Sequence, residues 1–294
     1  MKFRTEYQPQ KASETLDSAR PIVLLGSCFT DSIGSRMLDC RWEAYPNLCG
    51  PLYNPASIAN ILRLAMSPDE EMAREVEESI DRNGEIYCSW LMGSQASAFT
   101  PGEVAGYVKE RLRLLKEKLK EAQALIVTFG TSWIYELREM AGYVVSNCHK
   151  FPACRFQRRR LSVDEIAAMW EDAILLLRRH NPNLRLIFTV SPIRHLKDGF
   201  EGNSRSKATL LLACEKICDG NGSAEYFPSY EILNDDLRDY RFYADDLVHP
   251  SGSGVEYIWE KFCARYISEE GMRLLAEGER AMKALRHRPL IKKA

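Results

Sequence analysis

Three short apolar runs punctuate the chain, each followed or preceded by amphipathic periodicity. Residues 21–25 are continuous and apolar, and 124–130 and 184–190 are mostly apolar, the pattern of strands covered on both faces. Asp31 to Cys40 reads as a helix with Ile33, Met37 and Leu38 on one side. Residues 44–55 are rich in Pro, Gly and Asn and read as a loop. Ile58, Ile61, Leu62 and Ala65 begin a second helical stripe, and the acidic segment Asp69 to Ile80 reads as a solvated helix. Val104, Val108, Leu112, Leu115 and Leu119 form a third stripe, with charged residues opposite. Ser162-Val163-Asp164-Glu165 fits a capping box for a helix carrying Ile166, Trp170, Ile174 and Leu177, broken by Asn181-Pro182-Asn183. Ser206 to Cys218 reads as a helix, Ala224 to Phe227 as a short strand, and residues 251–266 and 269–285 as closing helices.

Strands alternating with amphipathic helices predict an α/β fold with a mostly parallel sheet and helices on both faces. Sites in such sheets form outside the carboxyl ends of the strands. Gly26-Ser27-Cys28, Gly130-Thr131-Ser132 and Ser191-Pro192-Ile193-Arg194-His195 each follow a predicted strand, so three polar strand ends are expected to converge on one edge. No repeat, low-complexity segment or linker divides the chain. The expectation is one domain over residues 1–294, with an N-terminal arm (1–20), loop elaborations and a C-terminal helical extension (267–294).

Composition narrows the function classes. The 294 residues are 45% hydrophobic and 28% charged, with a net charge of -1, which points to neither nucleic acid nor a membrane surface. No apolar run approaches a membrane span, and Met1 to Gln10 contains no apolar signal segment. Nine cysteines at irregular spacing then read as reduced thiols, and the expected location is the cytoplasm. Cys148, His149 and Cys154 lack paired Cys-x-x-Cys spacing, and there is no Walker loop or Gly-x-Gly-x-x-Gly, so neither metal nor nucleotide cofactor is expected. Arg155 with Arg158-Arg159-Arg160 reads as a solvated basic face.

The candidate chemistry lies at two distant points. Gly26 allows a sharp turn at the first strand end, aiming Ser27 and Cys28 at a crevice beside a helix N-terminus expected near Asp31. Cys28 is the better nucleophile if a base takes its proton, and Ser27 needs such a base. Asp246-Leu247-Val248-His249 supplies one: His249 as base, with Asp246 fixing its tautomer. Pro250-Ser251 follows as a helix start, placing the pair in a loop. Arg194 and His195 face the same edge, where Arg194 either grasps a carboxylate or phosphate or pairs with Asp239.

Gly26-Ser27-Cys28-Phe29-Thr30-Asp31-Ser32-Ile33-Gly34 resembles the signature of the GSCFA family. Tyr53-Asn54-Pro55, Asn147-Cys148-His149-Lys150, Ser191 to His195, Leu237 to Tyr243 and Asp246 to Pro250 resemble its other segments, over residues 20 to 265. That family in turn resembles the SGNH (GDSL-type) hydrolases. The resemblance implies a three-layer α/β/α sandwich, SGNH-hydrolase-like and flavodoxin-like, and an acyl hydrolase or acyltransferase acting on a small-molecule or carbohydrate ester. In the superfamily's Gly-Asp-Ser register Cys28 takes the nucleophile's place, while a one-residue shift in the turn gives Ser27. The resemblance implies oxyanion donors from the nucleophile's own N–H, from a second-loop glycine, here Gly50, and from the Asn of a Gly-x-Asn-Asp motif. Gly130-Thr131-Ser132-Trp133 stands in that last place without the Asn. Ser132 occupies its register, and Asn54 or Asn147 is either a replacement donor or part of a turn. A non-catalytic carbohydrate- or anion-binding module on a degenerate hydrolase fold is the other reading.

Overall fold

Strand β1 (Ile22–Gly26) is buried at every position and runs straight into helix α1 (Cys28–Asp39), which buries Phe29, Ile33 and Met37. The computed structural model describes residues 4–286, so the first residues of the N-terminal arm and residues 287–294 of the predicted C-terminal extension lie outside it. A three-residue strand, β2 (Ala44–Pro46), pairs with β1 inside the segment read as a loop. Helix α2 (Pro55–Met66) starts at Pro55 under an Asn54 cap, and α3 (Asp69–Glu78) buries only Met72 and Val76. Strands β3 (Ile80–Asn83), β4 (Ile86–Ser89) and β5 (Ser97–Ala98) form a small antiparallel sheet. Helix α4 (Pro101–Glu121) carries a full capping box at Thr100 and Glu103 and delivers the chain to β6 (Ala124–Phe129), again wholly buried.

A second antiparallel sheet follows: β7 (Trp133–Leu137), β8 (Val144–Val145) and β9 (Phe156–Arg160), in the order β8–β7–β9. The Arg run lies on β9, where Arg155 and Arg159 are absorbed by ion pairs to Asp81, Glu139, Glu136 and Glu165. Then come α5 (Val163–His180), capped as expected by Ser162 and Glu165, β10 (Arg185–Val190), α6 (Gly199–Asp219), β11 (Ala224–Tyr226), a single turn α7 (Ser229–Glu231), α8 (Gly252–Tyr266) and α9 (Glu269–Arg286).

The central sheet has the order β11–β10–β6–β1–β2, with every pairing parallel. Alternate strand residues enter two separate cores, as the two-residue period demands. Val23, Leu25, Leu125 and Val127 pack with Ile58, Leu112, Trp170 and Leu210 from α2, α4, α5 and α6. Ile22, Leu24, Ala124 and Ile126 pack with Met37, Trp259 and Phe262 from α1 and α8. This is the three-layer α/β/α sandwich that the family resemblance implied. The strand order is flavodoxin-like, and its direction reverses between β1 and β6, the position where a crevice opens at the carboxyl edge. No helix among the described residues is long and apolar enough to cross a membrane.

Candidate active site

The turn after β1 is built around Gly26. Its φ is +147°, and a Cβ there would stand 2.2 Å from the Thr128 carbonyl oxygen, so only glycine fits. Asn47 clamps the turn. Its Oδ1 accepts the Gly26 N–H at 2.9 Å, and its Nδ2 donates to Asp31 Oδ1 at 2.8 Å. Helix α1 starts at Cys28, three residues before the Asp31 start expected from the sequence, with Ser27 in the N-cap position. Ser27 is turned into the fold: it is buried, and its Oγ has no hydrogen-bond partner among the described residues. Cys28, the first helical residue, points outward instead and is only partly buried.

Cys28 Sγ lies 3.7 Å from His249 Nε2, within hydrogen-bond reach for sulfur. His249 Nδ1 lies 2.6 Å from Asp246 Oδ2. The carboxylate fixes the tautomer: Nδ1–H donates to Asp246, which leaves Nε2 as acceptor for the thiol. Asp246 Oδ1 also accepts the His249 and Val248 N–H groups, both at 2.9 Å. Those bonds hold the carboxylate down to about 2, so it stays ionised. Leu247 takes a left-handed φ of 57°, which folds the motif into a tight turn, and Ser251 caps α8 immediately after it. Burial pushes the Cys28 thiol above its ordinary range, opposed by hydrogen bonds from the Cys28 and Phe29 N–H groups. The sulfur is therefore a protonated thiol beside a base at neutral pH.

Above this pair opens a cavity of about 580 Å³. All three strand ends reach it, through Ser27 and Cys28, Thr131, and Arg194 and His195. The β8–β7–β9 sheet adds Trp133, Tyr135 and Val145 as a wall, continued by Asn147 just after β8.

The expected oxyanion donors fare unevenly. Gly50 is not among the lining residues, because its N–H donates to the Asn47 carbonyl at 2.7 Å to close the loop turn. Ser132 is also absent from the lining. It is fully buried, with its N–H donating to Ser206 Oγ at 2.8 Å and its hydroxyl bonded to the same oxygen at 3.1 Å. Asn54 lines the cavity, but its Oδ1 accepts the Ser57 N–H at 2.8 Å and its Nδ2 donates to Ser57 Oγ, so it serves as the α2 cap. Asn147 lines the cavity too, its Oδ1 accepting the His149 N–H at 2.7 Å in a turn. Arg194 makes no pair with Asp239, which bonds Arg241 at 2.9 Å; its guanidinium lies over the Tyr243 and Tyr240 rings at 4.3 and 5.0 Å. His195 Nε2 is buried without a partner among the described residues, and burial pushes the ring down to about 4, so it is neutral. His149 does not line the cavity, its Nε2 lying 2.8 Å from the Ser89 carbonyl. Among the described residues no group of three or more His, Cys, Asp or Glu side chains is placed to hold a metal ion.

A buried lysine without a sequence motif also meets two of the strand ends. Lys207, on α6, is 1% exposed, and its Nζ donates to the Gly130 and Ser191 carbonyls at 2.7 and 2.6 Å. It thus ties together the carboxyl ends of β6 and β10 directly beneath the cavity. Burial pushes its ammonium down to about 7. The available signal was its place on the stripe of Leu210, Cys214 and Ile217, the buried face of α6.

No curated protein matches the chain in sequence. Among solved structures, the acetyl xylan esterase Est2A from Butyrivibrio proteoclasticus is similar at 12% identity and TM-score 0.41, covering 84% of this chain and 63% of its own. A point mutant of Axe2, an acetyl-xylooligosaccharide esterase from Geobacillus, is similar at 13% identity and TM-score 0.41, covering 87% of this chain and 97% of its own. A family two carbohydrate esterase from Clostridium thermocellum, in complex with cellohexaose, shares 12% identity at TM-score 0.35, covering 88% of this chain and 65% of its own. The chain thus spans less than two thirds of the length of Est2A and of the Clostridium esterase. The family model for GSCFA matches residues 21–262, from the first buried strand to the last turn of α8, and the chain belongs to the GSCFA family.

Proposed function

We propose that this protein is an acyl hydrolase or acyltransferase in which Cys28 is the nucleophile, His249 the general base and Asp246 its orienting carboxylate. The observation that carries the reading is the continuous Asp246–His249–Cys28 relay, with contacts of 2.6 and 3.7 Å, at the mouth of a cavity on the switch point of the sheet. Because the thiol is protonated at rest, His249 takes the proton as sulfur attacks an ester or thioester carbonyl. Asp246 stabilises the imidazolium without accepting the proton itself. The tetrahedral oxyanion forms at the N-terminus of α1, where the Cys28 N–H and the helix dipole favour negative charge. His249 then protonates the leaving group, and a thioester remains on Cys28. Water, activated by His249, completes hydrolysis, and a hydroxyl acceptor in its place completes transfer. The substrate class is a small-molecule or carbohydrate ester, and the nine free cysteines fit a reducing, cytoplasmic setting.

The test is a covalent one. After incubation with an activated acyl ester, intact-mass and peptide mapping are expected to find one acyl group on Cys28. An adduct on Ser27 refutes the nucleophile assignment. No adduct with several acyl donors, together with unchanged behaviour of His249→Ala, leaves the non-catalytic binding module as the better reading.

A further inference from the structure

The charged side chains lining the cavity are unbalanced. They are Arg158, Arg194, Lys197 and Asp198. Asp198 is almost fully buried and forms an ion pair with Arg158, whose guanidinium lies 4.1 Å from the centre of the Trp133 ring. That pair cancels itself. The remaining two cations rest on neutral phenols. Arg194 lies over Tyr243 and Tyr240, and Lys197 Nζ donates to Tyr135 Oη at 3.1 Å. Among the described residues no carboxylate forms an ion pair with either. The acids nearest in sequence pair elsewhere, Asp198 with Arg158 and Glu201 with Arg205, as do Asp239 with Arg241 and Asp246 with His249. His195 between them is neutral.

Two cations set against aromatic rings, lining the same cavity as the proposed nucleophile and without an ion pair of their own among the described residues, form a preorganised anion receptor. They share one loop, and that loop is tied to the base: the Arg194 N–H donates to the Val248 carbonyl at 3.3 Å, one residue before His249. We infer that the cavity takes esters whose acyl or alcohol part carries a carboxylate or phosphate, gripped by Arg194 and Lys197 while Cys28 attacks the carbonyl. This rests on the acyl-transfer reading above and adds a substrate class to it. Arg194 supplies the planar fork suited to bidentate contact, and Lys197, more exposed, supplies a mobile point charge that neutralises the far side.

Three acetyl esters on related phenols test it: methyl 4-acetoxybenzoate, which is neutral, 4-acetoxybenzoate, and 4-acetoxyphenyl phosphate. The wild-type protein is expected to favour at least one anionic ester over the neutral one by about tenfold in kcat/KM, the scale of one well-placed ion pair. That preference shrinks as salt is added. Whichever anion is preferred separates carboxylate from phosphate. Arg194→Met and Lys197→Met are each expected to lower the anionic-to-neutral ratio by about threefold, together accounting for the preference of about tenfold, and Lys197→Arg to keep most of it. A wild-type ratio near one, or a ratio unmoved by either methionine substitution, overturns the inference and leaves acyl transfer standing. If no ester is turned over, acyl transfer fails separately, and calorimetric titration with 4-hydroxybenzoate, phenyl phosphate and neutral methyl 4-hydroxybenzoate decides. Saturable binding of an anion that is lost in Lys197→Met then supports the receptor; equal binding of the neutral ligand, or no binding, overturns it.

Discussion

Strands β1 and β6 lie side by side, paired in register from Ile22 with Ala124 to Gly26 with Thr128, yet the turns that leave them do opposite work. The β1 turn sends Cys28 outward to His249 and leaves Ser27 Oγ buried without a partner among the described residues. The β6 turn sends its polar groups inward and satisfies them. The Gly130 and Thr131 N–H groups both donate to the Tyr53 carbonyl, the Gly130 carbonyl accepts from Lys207, and Ser132 bonds Ser206. A Cβ on Gly130 would stand 3.0 Å from the Tyr53 oxygen and 3.2 Å from Ser27 Cβ, so the quiet turn is pressed against the reactive one. On the proposed mechanism, one strand end is left free for chemistry while its neighbour is saturated by hydrogen bonds.

The largest effects are expected on the reactive side. His249→Ala is expected to lower kcat by about 10³-fold or more, since among the described residues His249 is the ring base within hydrogen-bond reach of Cys28 Sγ. Asp246→Asn leaves an acceptor for the two backbone N–H groups but loses the charge behind the imidazolium, so a fall of about 10²–10⁴-fold is expected. Steady-state kinetics with an acyl ester check both. Full activity in Asp246→Asn would make that residue a turn former only.

On the saturated side Lys207 sets the expectation. Lys207→Met keeps the side chain's length but removes the donors that hold the Gly130 and Ser191 carbonyls, so both cavity loops lose their anchor. A displacement of about 1 Å is worth about 10²-fold in rate, and that is the expected loss in kcat/KM. The same substitution has a pH signature. The folded pKa of about 7 lies below the ordinary lysine value, so between the two the unfolded chain binds a proton that the folded protein does not. Lys207's own contribution to stability is therefore expected to be fully present above the ordinary lysine range and to fall by about 1.4 kcal/mol per pH unit as pH drops toward 7. Denaturant titrations at several pH values are expected to show that slope in the wild type and its loss in Lys207→Met. An identical slope in both proteins would assign the titration to another group.

The same contrast explains what the sequence made legible. Strands β1, β6 and β10 announce themselves because burial on both faces leaves continuous apolar runs. Cys28, Asp246 and His249 could be singled out because the proposed chemistry requires those residue types, two of them at fixed spacing, and the structure brings the three side chains together. The misses share a cause: the deciding partner is remote. Ser132 faces inward because of Ser206, 74 residues away, and a local register cannot show that. Gly50 closes its turn onto Asn47, and Asn47 reaches back 21 residues to Gly26. Lys207 is hidden by its own identity, since a lysine on an apolar stripe reads as a boundary until two carbonyls are found to meet it. Strand β2 is too short to show a period. The alternation of β9 disappears in its arginines, which ion pairs to other elements hold on the strand.

The smallest expected effect sits between the two turns, at Asn54. Its side chain lines the cavity, as an oxyanion donor would, but both of its polar ends are spent on Ser57 at the start of α2. If capping is its work, Asn54→Ala is expected to cost about 1 kcal/mol, a fall of about 2–4 °C in Tm, with kcat nearly unchanged. Asn54→Ser keeps an oxygen to accept the Ser57 N–H and is expected to recover most of that stability. An oxyanion donor behaves in the opposite way. Its loss would cost about 2.7–4 kcal/mol of transition-state stabilisation, a fall of 10²–10³-fold in kcat with little change in Tm, and serine would not restore it. Thermal melts and kcat measured on the same two variants separate the roles. A large kcat loss in both would move Asn54 from the saturated side of the site to the reactive one.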